Sequence, residues 1–177
     1  MIERHLSLRK STFLSAVIAA WCAYLVLDFL THSVLLAAWW RATKIYWLPP
    51  QELFRSIPFG YASFAIYCAA LTWLLLRLYG KHPTLIAGLR FGAGAGLVYG
   101  AGSVLATYSV FHMPTSALLV WPASVTVGST VAGVVAAWVL VADHPWRRVG
   151  LVVGTAIILF IMAVVMQNLF FPIPGDH

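Results

Sequence analysis

Charge is what this sequence has least of. Asp, Glu, Lys and Arg make up 9% of its 177 residues, against about 25% in an average soluble domain. So sparse a supply cannot coat a water-facing surface. That excludes an ordinary cytosolic enzyme, a disordered tail and a fibrous repeat. Acid is scarcer than base: five Asp and Glu stand against eleven Lys and Arg, a formal charge of +6. No aromatic-basic groove or nucleic-acid motif accompanies the excess, so nucleic acid is not an expected partner. Cysteine is rare too. Cys22 and Cys68 lie inside apolar runs, too few for a disulfide framework and too far apart for C-x-x-C. Neither G-x-S-x-G nor H-E-x-x-H occurs, so no catalytic residue is assigned.

What the chain has in excess is apolar length. Hydrophobic residues are 62% and the mean hydropathy is +0.89. A bilayer core about 30 Å thick takes about 20 apolar residues as a helix. Five runs meet that need: Thr12–Trp40, Ile57–Tyr79, Thr84–Val110, Ala123–Ala142 and Leu151–Phe171. Proline-bearing breaks separate them at Leu48-Pro49-Pro50, Gly80-Lys81-His82-Pro83, Met113-Pro114-Thr115 and Asp143-His144-Pro145. Proline lacks a backbone donor and restricts the residue before it. Strands of about ten residues with alternating polarity, as a barrel requires, are not evident. The expected fold is all-α: a single transmembrane domain over 1–177, a bundle of five helices with the lipid bilayer as its main partner.

The basic N-terminal segment resembles the start of a signal peptide. The apolar run behind it is too long for one, so it reads as an uncleaved first span. Lys and Arg in short loops orient a chain in the membrane. Arg4, Arg9, Lys10, Arg77, Lys81, Arg147 and Arg148 fall on one side, seven in all, against Arg41, Lys44 and Arg55 on the other. A cytoplasmic N-terminus and a C-terminus on the opposite side follow. Trp39, Trp40, Trp47, Trp121 and Trp146 lie near span ends, where interfacial anchors belong. In the longest connection, Arg41–Ser56, Pro50 can open a short helix with Glu52 and Arg55 paired across one turn. It reads as an interfacial hairpin rather than a lid.

Two stripes of small residues predict how helices pack. Gly88, Gly92, Gly96 and Gly100 recur every fourth residue in span three, and Ser124, Gly128, Ala132 and Ala136 do so in span four. Lipid gives little hydrophobic drive for helices to associate, so small residues that let backbones approach supply the contact. Spans three and four are expected to pack on each other, with a homodimer seam as the competing use of a stripe.

Asp28 and His32 are the candidate polar site. Four residues apart in span one, they share a helix face. With Trp39 and Trp40 at the outer boundary, Asp28 lies roughly 17 Å below and His32 about 11 Å below, at about 1.5 Å per residue. An ionised carboxylate at that depth costs about 2.5–3.5 kcal/mol or more. Asp28 must therefore face protein or water, be paired, or hold its proton. The same layer receives Tyr67 and Cys68 from span two and Tyr99 and Ser103 from span three. Ser129 and Thr130 of span four lie slightly higher, and Gln167 and Asn168 of span five nearer the outer edge. Arg90 is roughly 12 Å below Asp28 and snorkels inward rather than pairing with it. Asp28 and His32 supply two metal ligands at most, where a closed site wants about four; His112-Met113 reads as a loop pair. No metal or cofactor is therefore expected.

The segment Leu27–Tyr67 resembles a group of small bacterial inner-membrane proteins of unknown function. They carry an Asp-aromatic-x-x-His element in the first span, then a Leu-Leu, an aromatic, an Arg-Ala-Thr-like turn and a proline. Asp28, Phe29, His32, Leu35, Leu36, Trp40, Arg41 and Thr43 match that pattern. The resemblance implies a multi-pass protein of a bacterial inner membrane and brings no activity. On this reading the protein is a non-enzymatic accessory or assembly component, within a larger membrane complex or a homo-oligomer. The rivals are a proton-linked or ion transporter using Asp28 and His32, and a membrane enzyme or metal/haem carrier.

Overall fold

A computed structural model describes residues 2–43 and 48–170, the side chains of 2–10 and of Pro50 excepted. Lys44, Trp47, Phe171 and the closing Pro172-Ile173-Pro174-Gly175 lie outside the described residues, as do the side chains of Arg4, Arg9 and Lys10. The described chain is helical throughout: α1 (Ile2–Leu30), a π-helical turn (Thr31–Leu35), α2 (Ala37–Ala42), α3 (Pro50–Tyr79), α4 (Leu85–Val110), α5 (Ala117–Leu140) and α6 (Pro145–Phe170). Five segments are long and apolar enough to cross a membrane: Ser11–Leu35, Gln51–Tyr79, Leu85–Val110, Ala117–Leu140 and Pro145–Phe170. A helix satisfies its own backbone groups, which lipid cannot do for it.

Local chemistry sets the helix ends. Pro50 and Pro145 open α3 and α6, where a missing N–H costs nothing and the fixed φ suits the first turn. Thr84 caps α4, its hydroxyl accepting the Ala87 N–H at 3.1 Å. Gly80 closes α3 at φ 74° and bonds its N–H to the Leu76 carbonyl; only glycine takes that conformation at no steric cost.

Three boundaries differ from those expected. Pro50 does not open a short separate helix; the helix it starts continues past Pro58 to Tyr79. Pro58 withdraws one donor, and the turns on either side keep their ladder, so the helix runs through. The part of that connection from Pro50 onward thus forms two further turns of α3. Similarly, α5 starts at Ala117, before Pro122, and α6 at Pro145 rather than Leu151.

The closest packing is between α4 and α5. A Cβ on Gly88 would overlap the Gly133 carbonyl oxygen, and one on Gly92 would overlap that of Ser129. A Cβ on Gly96 would lie 2.7 Å from the Thr126 Cα, and one on Gly100 2.9 Å from the Pro122 Cα. The glycine stripe is thus spent inside the chain. Its partner face on α5 differs from the expected stripe. Val125, Ser129, Gly133 and Ala137 meet the glycines, one residue further along than Ser124, Gly128, Ala132 and Ala136. Gly128 faces the Tyr24 ring of α1 instead. Ala132 and Ala136 join the core containing Ala16, Ala19, Ala20 and Tyr24. One step along a helix is a rotation of about 100°, so α5 presents one small-residue stripe to α4 and the adjacent one to α1. Most of α6 looks outward, with Leu151, Ile158, Ile161 and Leu169 each more than half exposed, the surface a lipid-facing helix needs.

Candidate functional site

Asp28 and His32 end up on one face, as their spacing requires. Nε2 of His32 lies 3.2 Å from Oδ1 of Asp28, and both side chains are a little over one-quarter exposed. Trp40 completes the arrangement. Its indole N–H donates to Nδ1 of His32 at 2.8 Å, with the two rings edge to face at 5.2 Å. An indole nitrogen can only donate. Nδ1 therefore carries a lone pair, and the imidazole proton sits on Nε2, facing Asp28. Three residues make one directed chain, from indole to imidazole to carboxyl.

The π turn makes this chain. A straight α-helix turns about 100° per residue, placing a residue eight steps on about 80° away in azimuth. Between Thr31 and Leu36 the bond is N–H to the carbonyl five residues back, at 2.8 Å. That wider turn absorbs one extra residue. Trp40 then stands where the seventh residue would, about 20° from His32. Such π turns recur at functional sites. Trp40, expected near a span end, is thereby made a partner of His32. Trp39, next to it, donates to the Ser116 hydroxyl at 2.9 Å and ties α2 to the start of α5.

The pair lines a cavity of about 890 Å³ between α1, the π turn, α2 and α3, with α4, α5 and α6 completing the wall. Tyr24, Phe64, Tyr61, Tyr99 and Trp121 give it aromatic sides. Ser63, Ser103, Thr107, Ser124 and Gln167 add polar groups, and Arg41 and Leu53 line it from exposed positions. The wall is mostly apolar with a few polar groups, as in a small-molecule site, and the volume lies within the usual range of about 300–1,000 Å³.

The remaining expected residues divide. Tyr99 is on the cavity wall. Tyr67 is not: its hydroxyl is bonded to that of Ser129 at 2.8 Å, and its ring stacks on Tyr99 at 4.8 Å. Tyr67 props Tyr99 from behind and holds α3 to α5, because the α4–α5 contact turns Ser129 toward it. Cys68 is buried in the core and Ser129 is buried between helices. Arg90 is exposed on α4. Among the described residues, no three of His, Cys, Asp and Glu converge as metal ligands would.

Sequence reasoning missed Tyr24, Tyr61 and Trp40. Tyr24 was within reach, since it precedes Asp28 by four residues on the same helix face. Trp40 was not, because nothing in Thr31-His32-Ser33-Val34-Leu35 marks a π turn.

No family model, curated protein or solved structure matches this chain. The fold and site define a multi-pass helical membrane protein with a largely apolar cavity that reaches Asp28 and His32.

Proposed function

We propose that this is a small proton-linked transporter whose Asp28–His32 pair holds and releases the proton. One observation carries the reading: a cavity reaches a carboxyl and an imidazole that lie inside a membrane-length helix. Ionisable groups at that depth are costly and usually belong to ion or proton paths. The Trp40 bond supports it further, because it aims the imidazole proton at the carboxyl.

The setting proposed is a bacterial inner membrane with the N-terminus in the cytoplasm. The seven-to-three distribution of Lys and Arg supports it, as does the resemblance of Leu27–Tyr67 to small proteins of that membrane. Arg77 and Arg148 lie over Trp73 and Trp138 near the ends of α3 and α5, at 5.4 and 4.9 Å from the ring centres. Arg148 also donates to the Trp138 carbonyl.

The test is dissipation of an imposed pH gradient in proteoliposomes, followed with an entrapped pH dye. Wild-type protein should speed the decay beyond that of empty liposomes. Asp28→Asn should return it to the empty rate with unchanged membrane insertion, and His32→Ala should slow it. A wild-type rate equal to that of empty liposomes contradicts the reading. Loss of folding, or of a co-purified protein, in Asp28→Asn with no proton flux in the wild type returns the protein to an accessory role.

A further inference from the structure

The cavity wall sets one carboxylate, that of Asp28, among hydroxyls and aromatic rings. Of the five serine and threonine hydroxyls that line it, all but Ser33 already donate to their own helices. Ser63 gives its proton to the Gly60 carbonyl, Ser103 to Gly100, Thr107 to Ser103 and Ser124 to Val120, all at 2.8–3.1 Å. A hydroxyl that donates to its own helix presents only lone pairs outward. The Trp40 N–H is spent on His32. Asp28 meets His32 through Oδ1, and Oδ2 has no hydrogen-bond or ion-pair partner among the described residues. Around these acceptors stand aromatic rings, whose faces are electron-rich.

Donors remain on the wall in Ser33, the phenols of Tyr24, Tyr61 and Tyr99, the Gln167 amide and Arg41. The open carboxylate oxygen of Asp28 nevertheless opposes an anion and, with the ring faces, suits a cation. Carboxylate, hydroxyl lone pairs and ring faces all favour positive charge. The one fixed cation on the wall, Arg41, is exposed and thirteen residues beyond Asp28. An apolar body is also required, since most of the lining is hydrocarbon and aromatic carbon. We propose that the cavity binds a lipophilic ammonium, with its charged nitrogen on Oδ2 of Asp28 and its apolar body among Tyr61, Tyr99 and Trp121. This rests on the transport reading and names its cargo. A single carboxylate then takes either a proton or the ammonium, so the two compete for it.

The whole chain, in phosphatidylcholine nanodiscs, is dialysed to equilibrium against three probes of matched length: 4-phenylbutylammonium, 4-phenylbutan-1-ol and 5-phenylpentanoate. Empty nanodiscs correct for partition into lipid. The ammonium should bind near one per chain and about tenfold or more tighter than either of the others. Asp28→Asn should bring it down to the level of the alcohol, and Asp28→Glu should keep the preference. The wild-type comparison stands even where the Asn variant does not fold. Equal binding of all three probes, or tighter binding of the carboxylate, overturns the ammonium and leaves the cavity as a site. Absence of binding, with proton flux intact, overturns the ammonium and leaves the proton path. Absence of both removes the two proposals together.

Discussion

Trp40 reaches back across a π turn and gives its indole proton to His32, eight residues earlier in the chain. The bond settles which imidazole nitrogen carries hydrogen and where that hydrogen points. It also joins α2 to the polar pair, so that the end of the first span is held by the group its own helix presents.

The tautomer is measurable. Nitrogen NMR of the labelled histidines in nanodiscs should show His32 with hydrogen on Nε2 and a bare Nδ1, under conditions where the ring is neutral. Trp40→Phe keeps an aromatic ring but removes the donor, and a share of the Nδ1–H tautomer should then appear. A wild-type signal from the Nδ1–H form contradicts the arrangement.

The α4–α5 contact gives a paired test in one helix. Gly92 and Gly94 are two residues apart, yet a Cβ on Gly92 would strike the Ser129 backbone while one on Gly94 meets nothing within 4 Å. Gly92→Ala should destabilise the protein by about 1–3 kcal/mol, the usual cost of overpacking. Gly94→Ala should be neutral or stabilising by a few tenths up to about 1 kcal/mol, because alanine is the better helix former. Thermal unfolding of both in the same detergent checks the pair. Equal melting temperatures would mean that the helices stand further apart.

Much of this molecule was legible from residue order alone. Five apolar runs gave five membrane-length helices, and glycine at every fourth position in span three gave the tightest contact. Asp28 and His32 shared a face because four residues make about one turn. What stayed hidden has identifiable causes. Two small-residue stripes run side by side on α5, through Gly128 and through Ser129, and periodicity cannot tell which neighbour takes which. Leu48-Pro49-Pro50 marked a break, but Pro50 opens a helix that runs on through Pro58 to Tyr79, because a proline costs one donor at a time. Tyr67 was placed at the right depth but not at its azimuth, which Ser129 decides. The π turn, which brings in Trp40, leaves no mark in composition.

The central claim is that a water-accessible cavity reaches Asp28 within a membrane-length helix. Cysteine accessibility tests it most directly, in a background with Cys22→Ala and Cys68→Ala. Ser103→Cys lies on the cavity wall, and Val98→Cys lies on the outward face of the same helix, where the valine is 76% exposed. A water-soluble, membrane-impermeant thiol reagent added to proteoliposomes should modify residue 103 and spare residue 98. Protection of residue 103 from the reagent on both sides of the membrane would contradict the account.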